Sequence, residues 1–418
     1  PLMQHVALAA CWMVWTLVLS GCSSDPPMSQ SPADRASPAD SSSRPAASAA
    51  GSPDSSAVAS QQSDAALQPA APARFERLRP PVLGFAVETD ASTSLCRLVD
   101  ADKDGAPLAE GSLEECETRL LELLKTRHGS GKLNFPISTF GGKQFWGDVF
   151  LQRSWRIQEN VLTGHFRLLD PDDVRRAWGT YEGCRVAFEE ARVREGIRPR
   201  SDRVIVLLHG LGRSKASFSD LRRALEDDGY EVADINYPST RRSLREHAEA
   251  IATVLGRIEG AHTVSFVTHS LGGIVVRDLL SLERPWQESV KLERVIMLAP
   301  PSRGSAIAEE LKDWLPYRIA TGDVGQVLTP EGVARLPLPP CEFGIIAGTL
   351  GSAQKLNPLL DGDNDGVVTV EETRLPGAAD FLVLRASHTF LMQNGACIDA
   401  TRNFLKTGRF RQPAGEQR

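Results

Sequence analysis

The sequence has little excess charge of either sign, and it lacks the short motifs that bind nucleotides or zinc. Its 418 residues include 47 Lys and Arg against 53 Asp and Glu, which gives a formal net charge of -6 at pH 7. This balance offers no basic excess for binding nucleic acid, so we expect no nucleic-acid partner. No zinc-type spacing of Cys and His, no glycine-rich phosphate loop and no haem motif occurs, so the sequence predicts no cofactor.

Aromatic residues are absent from residues 23–73, a stretch rich in Ser, Ala, Pro and Asp. Such a segment cannot bury enough apolar surface to offset the entropy of ordering it, which predicts a disordered tether. The segment before it, residues 1–22, contains an apolar run from Val6 to Leu19. This run is shorter than a membrane span requires and is typical of a signal segment.

The signal segment ends in Leu19-Ser20-Gly21-Cys22. This tetrapeptide resembles the signal of bacterial lipoproteins, in which the cysteine becomes the lipidated first residue of the mature chain. The resemblance implies lipidation at Cys22 and a lipid-anchored protein of the bacterial cell envelope. The outer membrane is favoured because Ser23 rather than Asp follows the cysteine. The alternative is an ordinary secretory signal that contains a cysteine by accident.

Residues 74–200 form an N-terminal extension whose fold the sequence does not reveal. Leucines with helical spacing predict a helix over 114–124, and a second helix is predicted over 182–193. Aromatic residues concentrated between 145 and 178 indicate a buried core rather than a carbohydrate-binding platform. The chain from 201 to 410 has a clearer pattern, because strand and helix signals alternate there.

The clearest signal is the stretch Thr263–Gly273, in which an apolar, β-branched run stops at Ser270 and a helical pattern begins at once. A serine between a strand and a helix lies on a sharp turn that exposes its hydroxyl, as a nucleophile requires. Gly272 and Gly273 allow the helix to start close to the strand. Thr268 stands where this motif usually has a glycine. The alternative interpretation is a chance serine at a strand end.

Other apolar runs predict further strands at 203–208, 231–237, 294–299, 343–347 and 381–384. Helical patterns separate them, so the sequence predicts an α/β chain with a mostly parallel sheet and right-handed crossovers. The first of these strands ends in His209-Gly210-Leu211-Gly212. A backbone with so few side chains can present an N–H group to a developing oxyanion.

Together these motifs resemble the α/β-hydrolase superfamily, in its bacterial lipase and esterase type, over roughly half of the chain. The resemblance is carried by His209–Gly212, His269–Gly273, Ala299–Ser305, Asn364–Val368 and Ser387–His388. It implies an α/β-hydrolase fold with a triad in the order Ser, acid, His, in which Ser270 is the nucleophile and Asp365 the acid. His388 is the only histidine after Ser270 and would be the base. The oxyanion donors would be the N–H groups of Leu211 and Leu271.

The loop that would supply the acid also matches a different kind of site. Asp361, Asp363 and Asp365, together with Glu372, satisfy the spacing of an EF-hand calcium loop. Prolines on both sides interrupt the flanking helices that an EF-hand needs, which favours Asp365 as the triad acid. A calcium loop and Asp363 as the acid remain the alternatives.

The catalytic half contains one sizeable insertion, residues 305–338. Its first helix is predicted to carry an apolar stripe formed by Ile307, Leu311, Trp314 and Leu315. Such a stripe indicates packing against the sheet, and a substrate-facing lid is the alternative.

Cys341 and Cys397 are predicted to form a disulfide bond. An exported chain meets an oxidising compartment, and the strands near 343 and 381 should be neighbours in the sheet. The alternative is a pair of buried thiols.

The sequence therefore predicts a lipid-anchored serine hydrolase that cleaves carboxylic esters, with an acyl or lipid component, through an acyl-enzyme on Ser270. Its partners would be an ester substrate and the membrane that holds the lipid anchor. Two alternatives stay open. One is an acyltransferase that uses the same triad with an alcohol in place of water, and the other is a non-enzymatic, calcium-stabilised surface module.

Overall fold

The computed structural model describes residues 75–103, 105–129, 137–138, 144–198, 202–351 and 357–411. The predicted signal segment, Cys22 and the tether lie outside these ranges. The described chain forms two antiparallel sheets of four and five strands, followed by a six-stranded parallel sheet. None of the helices within the described ranges is both long enough and apolar enough to cross a membrane.

The four-stranded sheet consists of β1 (Phe75–Arg77), β2 (Phe85–Asp90), β3 (Cys96–Asp100) and β4 (Ala109–Gly111). Helix α1 (Leu113–His128) follows and contains the predicted helix over 114–124. It begins at Ser112 because the Ser112 side chain accepts a hydrogen bond from the Glu115 N–H, while the Glu115 carboxylate accepts one from the Ser112 N–H. Its buried Leu120 and Leu124 pack in one core with apolar side chains of β2 and β3.

The five-stranded sheet has the order β5-β9-β8-β7-β6 and is followed by α2 (Tyr181–Glu195). Its strands are β5 (Ile137–Ser138), β6 (Trp146–Gln152), β7 (Trp155–Asn160), β8 (Phe166–Leu169) and β9 (Val174–Gly179). The predicted aromatic core is confirmed for Phe150 and Trp155, which pack against Phe188 of α2. It is wrong for Phe145, which is exposed.

The parallel sheet confirms the predicted mixed α/β architecture. Its strands are β10 (Arg203–Leu208), β11 (Glu231–Ile235), β12 (Thr263–His269), β13 (Lys291–Leu298), β14 (Glu342–Thr349) and β15 (Asp380–Arg385). Their order is β11-β10-β12-β13-β14-β15, and every neighbouring pair is parallel. The central strands are buried on both faces, which explains their continuous apolar sequences. Because all six strands are parallel, their carboxyl ends meet at one edge of the sheet.

Helices cover both faces of this sheet. They are α3 (Ser219–Asp227), α4 (Leu244–Leu255), α5 (Leu271–Leu280), α6 (Trp286–Ser289), α7 (Ala306–Leu311), α8 (Leu315–Val327), α9 (Pro330–Ala334), α10 (Val370–Thr373) and α11 (Gly395–Thr407). Helices α4, α5, α7 and α8 pack on the face that carries Val204 and Val206. Helices α3 and α11 pack on the other face, with Ile205 and Leu207.

Only part of the insertion packs against the core as the sequence predicts. Ile307 and Leu311 of α7 are buried in the core, which confirms the packing interpretation there. Leu315 and Ile319 of α8 are instead 63% and 70% exposed. The predicted apolar stripe is therefore wrong for Leu315, because α8 turns that side chain outward.

The predicted disulfide bond between Cys341 and Cys397 is wrong, since both cysteines are free. Strands β14 and β15 are neighbours as expected. Cys341, however, packs against the core on the α5 face, whereas Cys397 of α11 lies in the core of the opposite face. The sheet separates the two sulfur atoms, and burial raises the pKa of both thiols.

Candidate active site

Ser270 lies on the sharp turn between β12 and α5. Its backbone dihedrals are φ 51° and ψ -119°, a conformation that non-glycine residues rarely adopt. Two backbone hydrogen bonds hold the turn, from the Ser270 N–H to the Leu298 carbonyl (2.8 Å) and from the Gly273 N–H to the Ser270 carbonyl (3.0 Å). Strain of this kind costs about 1–3 kcal/mol and persists where the surroundings enforce it.

The residues around Ser270 explain how the chain can form so sharp a turn. A Cβ atom on Gly272 would come within 2.3 Å of the Leu208 carbonyl oxygen, so only glycine lets α5 start this close to β10. Thr268 is fully buried, and its hydroxyl donates a 3.3 Å hydrogen bond to the Ile296 carbonyl. The threonine that departs from the usual motif is therefore accommodated, because its polar atom has a partner in the next strand.

Asp365 and His388 come together across 23 residues of sequence. Asp365 follows β14, His388 follows β15, and the His388 Nδ1 lies 2.7 Å from the Asp365 Oδ2. The other carboxylate oxygen accepts the N–H groups of Val367 (3.0 Å) and Val368 (2.8 Å). A carboxylate oxygen accepts, so the His388 Nδ1 is the donor in this hydrogen bond. The Nε2 of His388 is therefore the ring nitrogen that is not committed to the carboxylate.

His269 connects the His388 loop to the serine turn. Its Nε2 donates to the His388 carbonyl oxygen at 3.0 Å, and the two rings lie 4.7 Å apart. Burial, with the nearby His388 and Arg213, holds the pKa of His269 well below its usual range. The His269 ring is therefore neutral. Because His269 directly precedes Ser270, its hydrogen bond ties the His388 loop to the serine turn.

The predicted oxyanion loop runs past the same turn. A Cβ atom on Gly210 would lie 3.1 Å from the Ser270 Cβ and 2.8 Å from the His269 Nδ1, so a glycine is needed for this approach. Among the described residues, neither the Leu211 N–H nor the Leu271 N–H has a hydrogen-bond acceptor. Neither N–H group is engaged by the described chain, which is one condition that an oxyanion donor must meet.

His209, at the base of this loop, has a supporting position that the sequence analysis did not identify. Its Nδ1 donates to the Gly210 carbonyl at 2.9 Å, and its Nε2 accepts the Tyr237 N–H at 3.2 Å. Burial lowers the pKa of His209 to about 4, so the ring stays neutral at neutral pH. The apolar sequence before His209 predicted the strand, but it did not indicate that His209 would pair with Tyr237, two residues after β11.

The carboxylates of the calcium pattern occupy different environments. Asp361 and Asp363 are exposed, whereas Asp365 is buried with both carboxylate oxygens engaged. Glu372 accepts the Thr369 N–H at 2.7 Å and caps α10. Within the described parts of the chain, no group of three His, Cys, Asp or Glu side chains is arranged to hold a metal ion.

Comparison with known proteins gives one family and several structures. Residues 175–321, which include His209–Gly212 and Ser270, match a family described only as a domain of unknown function, DUF7379. No curated protein matches the sequence.

The structures similar to this chain include lipases and esterases. The mature lipase BlEst2 of Bacillus licheniformis is 22% identical over 51% of this chain and 94% of its own, with a TM-score of 0.40. The metagenomic carboxyl esterase MGS0156 is 22% identical over 46% of this chain and 65% of its own, with a TM-score of 0.37. A thermophilic esterase from Thermogutta terrifontis is 14% identical over 50% of this chain and 92% of its own, with a TM-score of 0.34.

Proposed function

We propose that this protein is a serine hydrolase of carboxylic esters that works through an acyl-enzyme on Ser270. The proposal rests on one observation above all, the buried Asp365–His388 pair tethered through His269 to the strained Ser270 turn. Nucleophilic catalysis by serine requires a carboxylate–imidazole pair that can reach the serine hydroxyl.

The first half of the reaction would form the acyl-enzyme. The Ser270 Oγ attacks the ester carbonyl carbon while the His388 Nε2 takes the hydroxyl proton. The negative charge that develops on the carbonyl oxygen is stabilised by the N–H groups of Leu211 and Leu271. Collapse of the tetrahedral intermediate breaks the bond to the alcohol oxygen, which leaves with the proton from His388. Asp365 stabilises the charged imidazole throughout.

The second half would regenerate the enzyme. His388 takes a proton from water, and the resulting hydroxide attacks the acyl carbonyl on Ser270. The intermediate collapses to release the carboxylic acid, and the proton returns to the Ser270 oxygen. An alcohol in place of water would give acyl transfer, so adding an alcohol acceptor to the assay separates a hydrolase from an acyltransferase.

Labelling with a fluorophosphonate probe tests the proposal, because only an activated serine reacts with it. The wild-type protein should be labelled at Ser270 and should hydrolyse short-chain p-nitrophenyl esters. Ser270→Ala should lose both labelling and turnover, and the fold should remain, since a small side chain occupies the same turn.

Ser265→Ala is the matched control, because Ser265 is buried on the same strand as the elbow but away from its apex. It should be labelled and active like the wild type. Retained turnover in Ser270→Ala, or a wild-type protein that neither reacts with the probe nor cleaves esters, would reject the assignment.

A further inference from the structure

Gln144, just before β6 in the N-terminal extension, is hydrogen-bonded both to the loop after β10 that carries the proposed oxyanion donor and to the segment after β11. Its Nε2 donates to the Arg213 carbonyl at 2.8 Å. Its Oε1 accepts the Thr240 N–H and hydroxyl, each at 3.1 Å, and the Ser239 hydroxyl at 3.2 Å. Ser239 in turn accepts the Gly212 N–H at 2.9 Å. One amide therefore joins the loop that follows β10 to the segment that follows β11.

The five-stranded sheet holds Gln144 in this place. The Asp148 N–H of β6 donates to the Asn236 carbonyl at 2.8 Å, and the Asp148 carboxylate accepts the Asn236 N–H at 2.7 Å. The Asn236 side chain donates to the Trp146 carbonyl at 2.9 Å. Three hydrogen bonds thus align the start of β6 with the end of β11, and Gln144 lies two residues before Trp146, which takes part in one of them.

These contacts flank the proposed oxyanion donor on its C-terminal side. The Gly212 N–H and the Arg213 carbonyl are both fixed, and the Arg213 N–H closes the turn on the Gly210 carbonyl at 3.2 Å. The Leu211 N–H lies inside this turn and has no acceptor among the described residues. The direction of the Leu211 N–H therefore depends on how firmly the turn is held. The hydrogen bond from Gln144 to the Arg213 carbonyl holds this turn from outside the parallel sheet.

We propose that Gln144 is a positioning residue for ester hydrolysis, through which the N-terminal five-stranded sheet holds the Leu211 N–H in its direction toward the oxyanion. This inference rests on the proposed function. The inference gives the N-terminal extension a part in the reaction, because the extension supplies the Gln144 hydrogen bond to the turn from Gly210 to Arg213. An oxyanion donor acts in the transition state, so misplacing it lowers kcat more than it changes KM.

The test is steady-state kinetics of the full-length protein on p-nitrophenyl butyrate. Gln144→Ala should lower kcat by about 10-fold to 100-fold and leave KM within about twofold. Gln144→Glu should lose as much, because it keeps the acceptor for Thr240 but turns an oxygen toward the Arg213 carbonyl. Amide hydrogen exchange in peptides that cover residues 209–214 should rise in Gln144→Ala, a readout independent of turnover.

Gln152→Ala is the matched control. Gln152 is a buried glutamine of the same sheet, and its Nε2 also donates to a backbone carbonyl, that of Arg198 at 3.1 Å. This variant should keep the wild-type kcat and the wild-type exchange of residues 209–214, whatever it costs in stability.

The outcomes separate this inference from the proposed function. A wild-type protein that does not cleave esters refutes both. An active wild type overturns the inference alone if Gln144→Ala keeps its kcat, if its KM rises while kcat holds, or if Gln152→Ala lowers kcat as strongly.

Discussion

Burial distinguishes the carboxylates on the loop after β14. Asp361 and Asp363 face solvent, while Asp365 is 1% exposed and accepts three hydrogen bonds. Its main chain is also held, since the His388 N–H donates to the Asp365 carbonyl at 3.0 Å. A carboxylate fixed in this way can hold an imidazole in one orientation, which an exposed carboxylate cannot.

Asp365→Asn should lower kcat for ester hydrolysis by about 10³-fold or more, because an amide NH₂ beside the His388 Nδ1 favours the wrong imidazole tautomer. Asp361→Asn, on the same loop, is the matched control and should keep kcat within about twofold of the wild type. Steady-state kinetics on a p-nitrophenyl ester measures both.

The calcium hypothesis predicts a different pattern for the same pair of variants. If Asp361→Asn and Asp365→Asn lower kcat equally, and EDTA reproduces the loss in the wild type, the loop is a calcium site and Asp365 is not the triad acid. EDTA without effect, together with unequal variants, supports the triad.

At the scale of elements, the five-stranded sheet meets the parallel sheet through a buried arginine. Arg156 of β7 lies 2.8 Å from Asp148 of β6 and 2.9 Å from Asp234 of β11, and all three side chains are buried. Arg222 of α3 also reaches Asp234, at 2.8 Å. The charges of a buried cluster neutralise one another only while every member is present, because removing one leaves another buried without a counter-charge. This cluster lies beside the hydrogen bonds that join β6 to Asn236 at the end of β11, which we call the β6–β11 junction and which position Gln144.

Arg156→Met should lower the free energy of unfolding by about 3–5 kcal/mol, since it leaves Asp148 unpaired inside the protein. Chemical denaturation followed by circular dichroism measures the change. Arg335→Met removes an exposed arginine that pairs with Glu331 and should stay close to the wild type. Equal stability of the two variants would contradict the role that we assign to the junction.

At the scale of the whole molecule, the described part of the chain has no spanning helix. We propose that lipid on Cys22 holds the protein at the bacterial envelope, because the tetrapeptide that ends in this cysteine resembles a lipoprotein signal. The Ser/Ala/Pro-rich stretch 23–73 would then lie between the lipid and the catalytic domain, which we propose to be residues 201–410.

Cys22→Ser should move the protein from the membrane fraction to the soluble fraction of the envelope, because it removes the atom that carries the lipid. Its kcat on a soluble ester should not change, since the residues that we propose for the reaction, Gln144 included, all follow the signal segment and the tether. Cell fractionation with immunoblotting measures the shift, and Cys11→Ser, within the signal segment, is the control. A Cys22→Ser protein that still sediments with membranes after a salt wash would show that lipid is not the anchor.

Features encoded by short-range patterns were predictable from the sequence. The strands of the parallel sheet appear as apolar runs, because a strand covered on both faces needs apolar side chains throughout. The turn at Ser270 appears as an abrupt change of period, and the glycine that it requires lies two residues away. The pairing of Asp365 with His388 was predicted by resemblance, since the motif around each residue is local.

Other features depended on how distant parts of the chain pack together. Nothing near Cys341 or Cys397 indicates that the sheet lies between them, because the face on which a helix packs is decided by the path of the whole chain. Gln144 is an ordinary polar residue in the sequence, and its partner Arg213 is 69 residues away. The sequence by itself determined the strands and the serine turn, and its resemblance to a known superfamily led us to propose Asp365 and His388 as the partners of Ser270. Only the tertiary structure brought Gln144 to the oxyanion loop, because that contact depends on the docking of two sheets and leaves no periodic pattern in either segment.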